Sequence, residues 1–289
     1  MDARTRIERT LARALALADQ PGGPPRLATA MNYAVFPGGA RVRPRLTLAV
    51  AAACGEGPQE IANAAAAAIE LLHCASLVHD DMPCFDDADT RRGRPAVHRA
   101  FGEPLALLTG DALIVLAFQA LAEGGARAPK RLAGMITAVA GAVGVPHGIV
   151  AGQAWECEPS ADLAVYQQAK TGALFAAATE AGAAAAGHDG AAWRALGADL
   201  GEAYQVADDI RDAVADPREL GKPVGRDAAL GRPSAVLRLG LYGAVDRLQH
   251  LAARAASAIP DCAGAADLRG LIRLESQRLL PKELTAQAA

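Results

Sequence analysis

Hydrophobic positions recur along this chain with helical spacing, and breaker clusters cut them into segments. A first helix runs through the teens and stops at PGGPP, residues 21 to 25. A second ends near Pro37 to Gly39, and a third follows Arg43-Pro44 as far as Cys54. The run from Gln59 to Asp81 is apolar almost all round, the pattern of a helix in the middle of a bundle. It carries Asp80 and Asp81 at its C-terminal end, where Pro83 forbids a regular continuation. Further helices are predicted over 103–123, 130–156, 161–186 and 190–214, with a loop at 217–233 and two shorter helices at the C-terminus. No strand pattern of useful length and no fixed-period repeat occurs. The expectation is all-α: one domain spanning 1–289, an antiparallel helical bundle.

Composition agrees with the pattern. Hydrophobic residues make up 52% of the 289 and aromatic residues only 4%. Ala and Leu dominate, and both lose little on entering a helix. The net charge of −3 leaves no basic excess for a nucleic-acid partner. Five scattered cysteines without CxxC spacing point to free thiols in a reducing compartment, and the charged start MDARTRIERT does not suit a secretion signal. A cytoplasmic location is expected. From Leu132 to Trp155 there is no charged residue, but five Gly, Pro146, His147 and Gln153 interrupt the stretch. It reads as a buried helix or helix pair, not a membrane span.

The candidate chemistry lies in two carboxylate clusters. LVHDDMPCFDDADTRRGRP holds Asp80, Asp81, Asp86, Asp87 and Asp89, followed by Arg91, Arg92 and Arg94. QVADDIRDAVAD holds Asp208, Asp209 and Asp212, and Asp208 and Asp212 share a helix face. Carboxylates crowded this way repel unless a cation lies between them. A donor set of oxygens favours a hard ion such as magnesium, bound through few carboxylates together with substrate phosphates. A solvated acidic surface would be the plain alternative, but both clusters adjoin apolar runs. A di-iron bundle is the other: Glu70-x-x-His73 has the ExxH spacing, yet none of the other five His has Glu three residues before it.

Eight motifs in order give the chain a family likeness: GGARVRP at 38, DDMPCFD at 80, RRGRP at 91, GDAL at 110, GQ at 152, KTGALF at 170, QVADDIRD at 205 and LGKPVGRD at 220. The sequence resembles the trans-type polyprenyl diphosphate synthases, the farnesyl and geranylgeranyl diphosphate synthases. It is most similar to the geranylgeranyl type of bacterial carotenoid and photosynthetic pigment pathways.

The resemblance implies an isoprenoid synthase fold around a deep central cavity, generally in a homodimer. It also implies three magnesium ions, with Asp80 and Asp86 holding two and Asp208 the third, supported by Asp81, Asp209 and Asp212. Arg91, Lys170 and Lys222 would face the allylic diphosphate (dimethylallyl, geranyl or farnesyl), and Arg43, His73 and Arg92 would face isopentenyl diphosphate. Thr171 and Gln205 would turn partial negative charge towards the allylic cation. Ala75 and Ser76, one turn before Asp80, would line the product cavity, and these small side chains suit a twenty-carbon product. A farnesyl-type synthase and a non-catalytic partner subunit are the alternatives on this fold. A terpene cyclase would not need the Arg43, His73, Arg92 set.

The chain departs from the family pattern at Ala40, where GGKRxRP has lysine. One cation for isopentenyl diphosphate is missing, so Arg41, Arg43 or Arg45 is expected to compensate.

Overall fold

The computed structural model describes residues 2–36, 38–160, 162–214 and 234–279. Lys222 and the predicted loop at 217–233 lie outside the described residues. Helices α1 (Ala3–Leu15), α2 (Pro25–Val35) and α3 (Val42–Ala53) lead into α4 (Gln59–Asp80). A minimal ladder pairs β1 (Thr90–Arg91) with β2 (Arg94–Pro95), antiparallel with Arg91 opposite Arg94. There follow α5 (Val97–Phe101), α6 (Glu103–Gly125), α7 (Pro129–Val143), α8 (Ile149–Ala154) and α9 (Leu163–Gln167). A π-helical turn, Gln168–Gly172, joins α9 to α10 (Ala173–Ala186). Then come α11 (Arg194–Val214), α12 (Ala235–Ser257) and α13 (Ala265–Leu279).

Two helices form the centre. In α10 every residue from Ala173 to Ala185 is buried, and α4 is buried from Ala64 to Leu72 without a break. Alanine on all sides lets neighbouring helices approach closely: α3 and α7 lie against α10, and α6 lies along α4. A second apolar cluster, with Ala203, Val206 and Ile210 facing Leu248 and Leu251, holds α11 against α12.

The predicted element over 130–156 is two helices. Val145-Pro146 falls between them, and α7 ends at Val143. The first C-terminal helical segment, α12, spans 23 residues but is kinked at Gly240, whose φ of 71° and ψ of 169° are not helical, so its regular run after the kink is shorter than α6. By length and composition α4 and α6 could each cross a membrane, but 78% of the apolar window of α4 is buried inside the protein. Only 39% of the window of α6 is, so it leaves Leu107, Leu108 and Val115 exposed.

One buried ion pair pins the N-terminal helices. Arg41, only 2% exposed, donates to Glu70 of α4 at 2.5 Å, to Glu8 of α1 at 2.9 Å and to the Val35 carbonyl at 2.9 Å. Burial works against its charge, but Glu8 and Glu70 outweigh that and hold the guanidinium above its ordinary value. Removing one partner leaves a buried charge uncompensated, whereas an apolar replacement of both removes that penalty. Arg41→Ala is therefore expected to lower unfolding stability by ~3–5 kcal/mol, and Arg41→Met combined with Glu70→Leu to recover most of the loss in urea titrations.

Candidate functional site

The first aspartate cluster begins where α4 ends. Asp81 is the C-cap, and the chain then folds back so that the Asp86 N–H donates to the Asp80 carbonyl at 3.0 Å. The two-residue turn at Arg92-Gly93 has positive φ at both positions (54° and 73°), as a tight hairpin with native twist requires. Glycine takes this conformation freely and arginine does not, so Arg92 is held in a costly shape. The hairpin carries Arg91 back onto α4, where its guanidinium grips the Asp81 carboxylate and lies 3.8 Å from Asp80. Burial pushes the Asp81 carboxyl up, Asp80 and Asp86 add to this, and Arg91 offsets part of it.

The π turn brings a second cation. Lys170 Nζ donates to Asp80 Oδ1 at 2.9 Å and to Glu156 Oε1 at 2.6 Å. Desolvation disfavours its charge, but Asp80 and Glu156 prevail and raise the ammonium above its ordinary value. Glu156 also accepts from Tyr166 Oη at 2.6 Å and from Gln153 Nε2 at 2.8 Å. Gly152 makes this docking possible, since a Cβ there would lie 2.5 Å from the Lys170 backbone nitrogen.

From the same turn a hydrogen-bonded chain reaches the second cluster. Thr171 Oγ1 donates to Gln205 Oε1 at 3.3 Å, and Gln205 Nε2 to Asp209 Oδ1 at 3.2 Å. Asp209 is buried and accepts the Ala235 N–H at 2.7 Å, so it ties α11 to the start of α12. Asp208, the residue before it, is exposed and is paired with Arg211 on its own helix. Asp212 lies one turn further along α11. The structure thus joins both clusters through residues 168–172.

The third group gathers at the N-terminus of α3. A helix N-terminus disfavours cations and favours anions, yet Arg41, Arg43 and Arg45 all lie there. Arg41 is consumed by Glu8 and Glu70, and Arg45 pairs with Glu275 at 3.1 Å. Arg43 instead stacks on Phe175, its Cζ 4.3 Å from the ring centre, with Nε buried and without a hydrogen-bond partner among the described residues. Loss of solvent lowers its ordinary value, although Glu70, Tyr204 and Asp208 act in the other direction. The fields of Arg43, Arg92 and Arg91 reach His73, which desolvation and these cations push well below the ordinary histidine value. Such a neutral imidazole among arginines, beside an orphaned Nε, is suited to an anion.

Ala75 is fully buried in the core, and Ser76, half-buried, returns its hydroxyl to the His73 carbonyl at 2.8 Å. Sequence reasoning passed over Glu156 and Tyr166. Glu156 follows the GQ motif by three residues, but only the docking of α8 on the π turn puts its carboxylate on Lys170.

Among the described residues no three His, Cys, Asp or Glu side chains converge into a metal cage. The donors at Asp80 and Asp208 are oxygens already faced by cationic side chains. That fits magnesium, which binds through one or two carboxylates and fills its sphere with water and phosphate oxygens.

Comparison with known proteins agrees with this geometry. The fold is that of solved isoprenoid synthases. A farnesyl/geranylfarnesyl diphosphate synthase of Zymomonas mobilis superimposes with a TM-score of 0.79 at 35% identity, covering 95% of this chain and 98% of that one. A geranyltransferase of Helicobacter pylori, solved with magnesium and isoprenyl diphosphate, gives 0.75 at 28% identity over 94% and 96%. The polyprenyl synthetase family profile matches residues 24–262, and the chain belongs to that family. Geranylgeranyl diphosphate synthases of Cereibacter sphaeroides and Rhodobacter capsulatus are 51% and 48% identical to it, each over 98% of both chains.

His73 makes a pH prediction. Its folded value lies below the unfolded one of about 6.5, so the unfolded chain takes up the proton first as pH falls. Stability from this group is complete above that value and is lost below it. Thermal unfolding without ligand should show His73→Gln losing less stability than the parent between about pH 6.5 and 5.

Proposed function

We propose that this protein condenses isopentenyl diphosphate with allylic diphosphates and releases geranylgeranyl diphosphate as its main product. The observation that carries the reading is the π turn, which places Lys170 on the first aspartate cluster and Thr171 on the second. The near-full-length identity to two geranylgeranyl diphosphate synthases supports the product. Exposed Leu107, Leu108 and Val115 on α6 support a homodimer that covers this face.

Asp80, Asp86 and Asp208 would hold three magnesium ions, with Asp81, Asp209 and Asp212 in support. Bound there, magnesium supplies positive charge against the diphosphate oxygens as the allylic C–O bond breaks. Arg91, Lys170 and Lys222 stabilise the same developing charge. Asp81 holds the Arg91 guanidinium beside Asp80, and Glu156 holds the Lys170 ammonium there. Arg43, Arg92 and His73 hold isopentenyl diphosphate. The oxygens of Thr171 and Gln205 face the allylic cation, which the isopentenyl double bond attacks. The proton then leaves to the released diphosphate, so no side chain serves as general base. Ala40 removes one cation from this second site, and Arg43 is the arginine of α3 left to meet the isopentenyl diphosphate.

Incubation with dimethylallyl, geranyl or farnesyl diphosphate, isopentenyl diphosphate and magnesium tests the activity. Chromatography of dephosphorylated products should give the twenty-carbon alcohol. A fifteen-carbon end product would make it a farnesyl-type synthase, and no product a silent subunit. EDTA should stop turnover and magnesium restore it. Asp80→Asn should cut turnover by about a thousandfold, equivalent to ~4 kcal/mol at the transition state, with the helical circular dichroism unchanged. Activity near that of the parent would overturn the metal assignment.

Ala75 and Ser76 set the product cavity in this reading. Ala75 is packed in the core at 1% exposure, so in this reading a Phe ring there would project into the path proposed for the growing chain. Ala75→Phe should shift the product from twenty to fifteen carbons, and an unchanged product distribution would place the floor elsewhere.

A further inference from the structure

The loop after α4 is tightly folded but strained. Asp87 donates its N–H to the Met82 carbonyl at 3.1 Å and Ala88 to that of Asp81 at 3.1 Å. Asp87 itself has φ of 44°, which a side chain with a Cβ adopts only when its surroundings hold it there. The holding groups come from α5, packed behind the loop. Arg99 Nη2 donates to Asp87 Oδ1 at 2.9 Å, and Arg99 Nε lies 3.0 Å from Asp89 Oδ1. His98, 5% exposed, places Nε2 3.8 Å from the same Asp87 oxygen, and neither of its ring nitrogens has a hydrogen-bond partner among the described residues.

We infer that Arg99, backed by His98, is a positioning residue that holds Asp87 and Asp89 so that Asp86 is presented beside Asp80 for magnesium. The inference rests on the proposed metal role of Asp80 and Asp86. One guanidinium bridges Asp87 and Asp89, the two carboxylates that directly follow Asp86, so it anchors the chain where it leaves the metal-facing residue. Its carboxylate partners are more than half exposed, and exposed pairs of this kind contribute little to global stability. The effect of losing Arg99 should therefore appear in metal binding and not in unfolding.

Charge and geometry predict opposite signs, which makes the inference testable. If Arg99 acted only through its charge, neutralising it would leave the aspartates more negative and tighten cation binding. If it positions the loop, the same change weakens binding.

The measurement is manganese(II) binding to the whole protein by electron paramagnetic resonance, with methylenediphosphonate present and no turnover. Arg99→Gln should weaken manganese binding several-fold with an unchanged melting temperature, and Arg99→Lys should restore part of it. His98→Gln should shift binding in the same direction. Unchanged or tighter binding by Arg99→Gln would overturn the inference. Asp80→Asn serves as the reference: if it binds manganese like the parent, the metal reading fails and the inference with it. If Asp80→Asn loses binding while Arg99→Gln keeps it, only the positioning role falls.

Discussion

Carboxylates gathered at the ends of α4 and α11 repel one another, and the protein counters that repulsion from one turn of chain. The turn is π-helical, with an extra residue per loop of backbone, and such turns shift the side chains that follow them around the axis. Here the shift sets Lys170 towards Asp80 and Glu156, and Thr171 towards Gln205. Lys170 sets an ammonium against Asp80, and Arg91 a guanidinium against Asp81. The remainder of the fold brings α8, α10 and α11 close enough for this turn to touch both clusters.

Close approach follows from side-chain size. The centre of the protein is alanine-rich helix, in which no large side chain holds neighbours apart, and glycines remove the last obstruction where helices meet the site. Gly110 on α6 is one case: a Cβ there would fall 2.0 Å from the ring of His79, the residue before Asp80. The glycine lets α6 lie against the end of α4. The His79 Nε2 is then 3.2 Å from the Leu107 carbonyl, which fixes the helix end from which the aspartate loop departs.

The arginines of α3 show how neighbours divide identical residues between structure and function. Arg41, Arg43 and Arg45 fall on one helix start and look alike in sequence. Arg41 faces Glu8 and Glu70 and becomes a buried brace, while Arg45 meets Glu275 near the surface. Arg43 faces an aromatic ring and other cations. Its buried Nε has no hydrogen-bond partner among the described residues, which is why the proposed function assigns Arg43, of the three, to the substrate anion.

The sequence by itself determined the helical class, the buried character of α4 and the identity of both aspartate clusters. These are local facts: apolar periodicity, proline positions and charges crowded within a few residues. It also carried the family likeness, because the motifs keep their order along the chain. The break at Val145-Pro146 was half legible: Pro146 and its neighbouring glycines left a helix or a helix pair open, and the structure shows the pair. The kink at Gly240 within α12 had no such mark. Tertiary structure alone decided which charges meet. Lys170 lies 90 residues from Asp80, Gln205 lies 34 from Thr171, and Arg41 and Glu70 lie 29 apart. Glu156 and Arg99 have no motif of their own, and their roles come from helices docking on the turn and the loop that they hold. Pairings over such separations depend on how the helices pack, which short-range spacing does not encode.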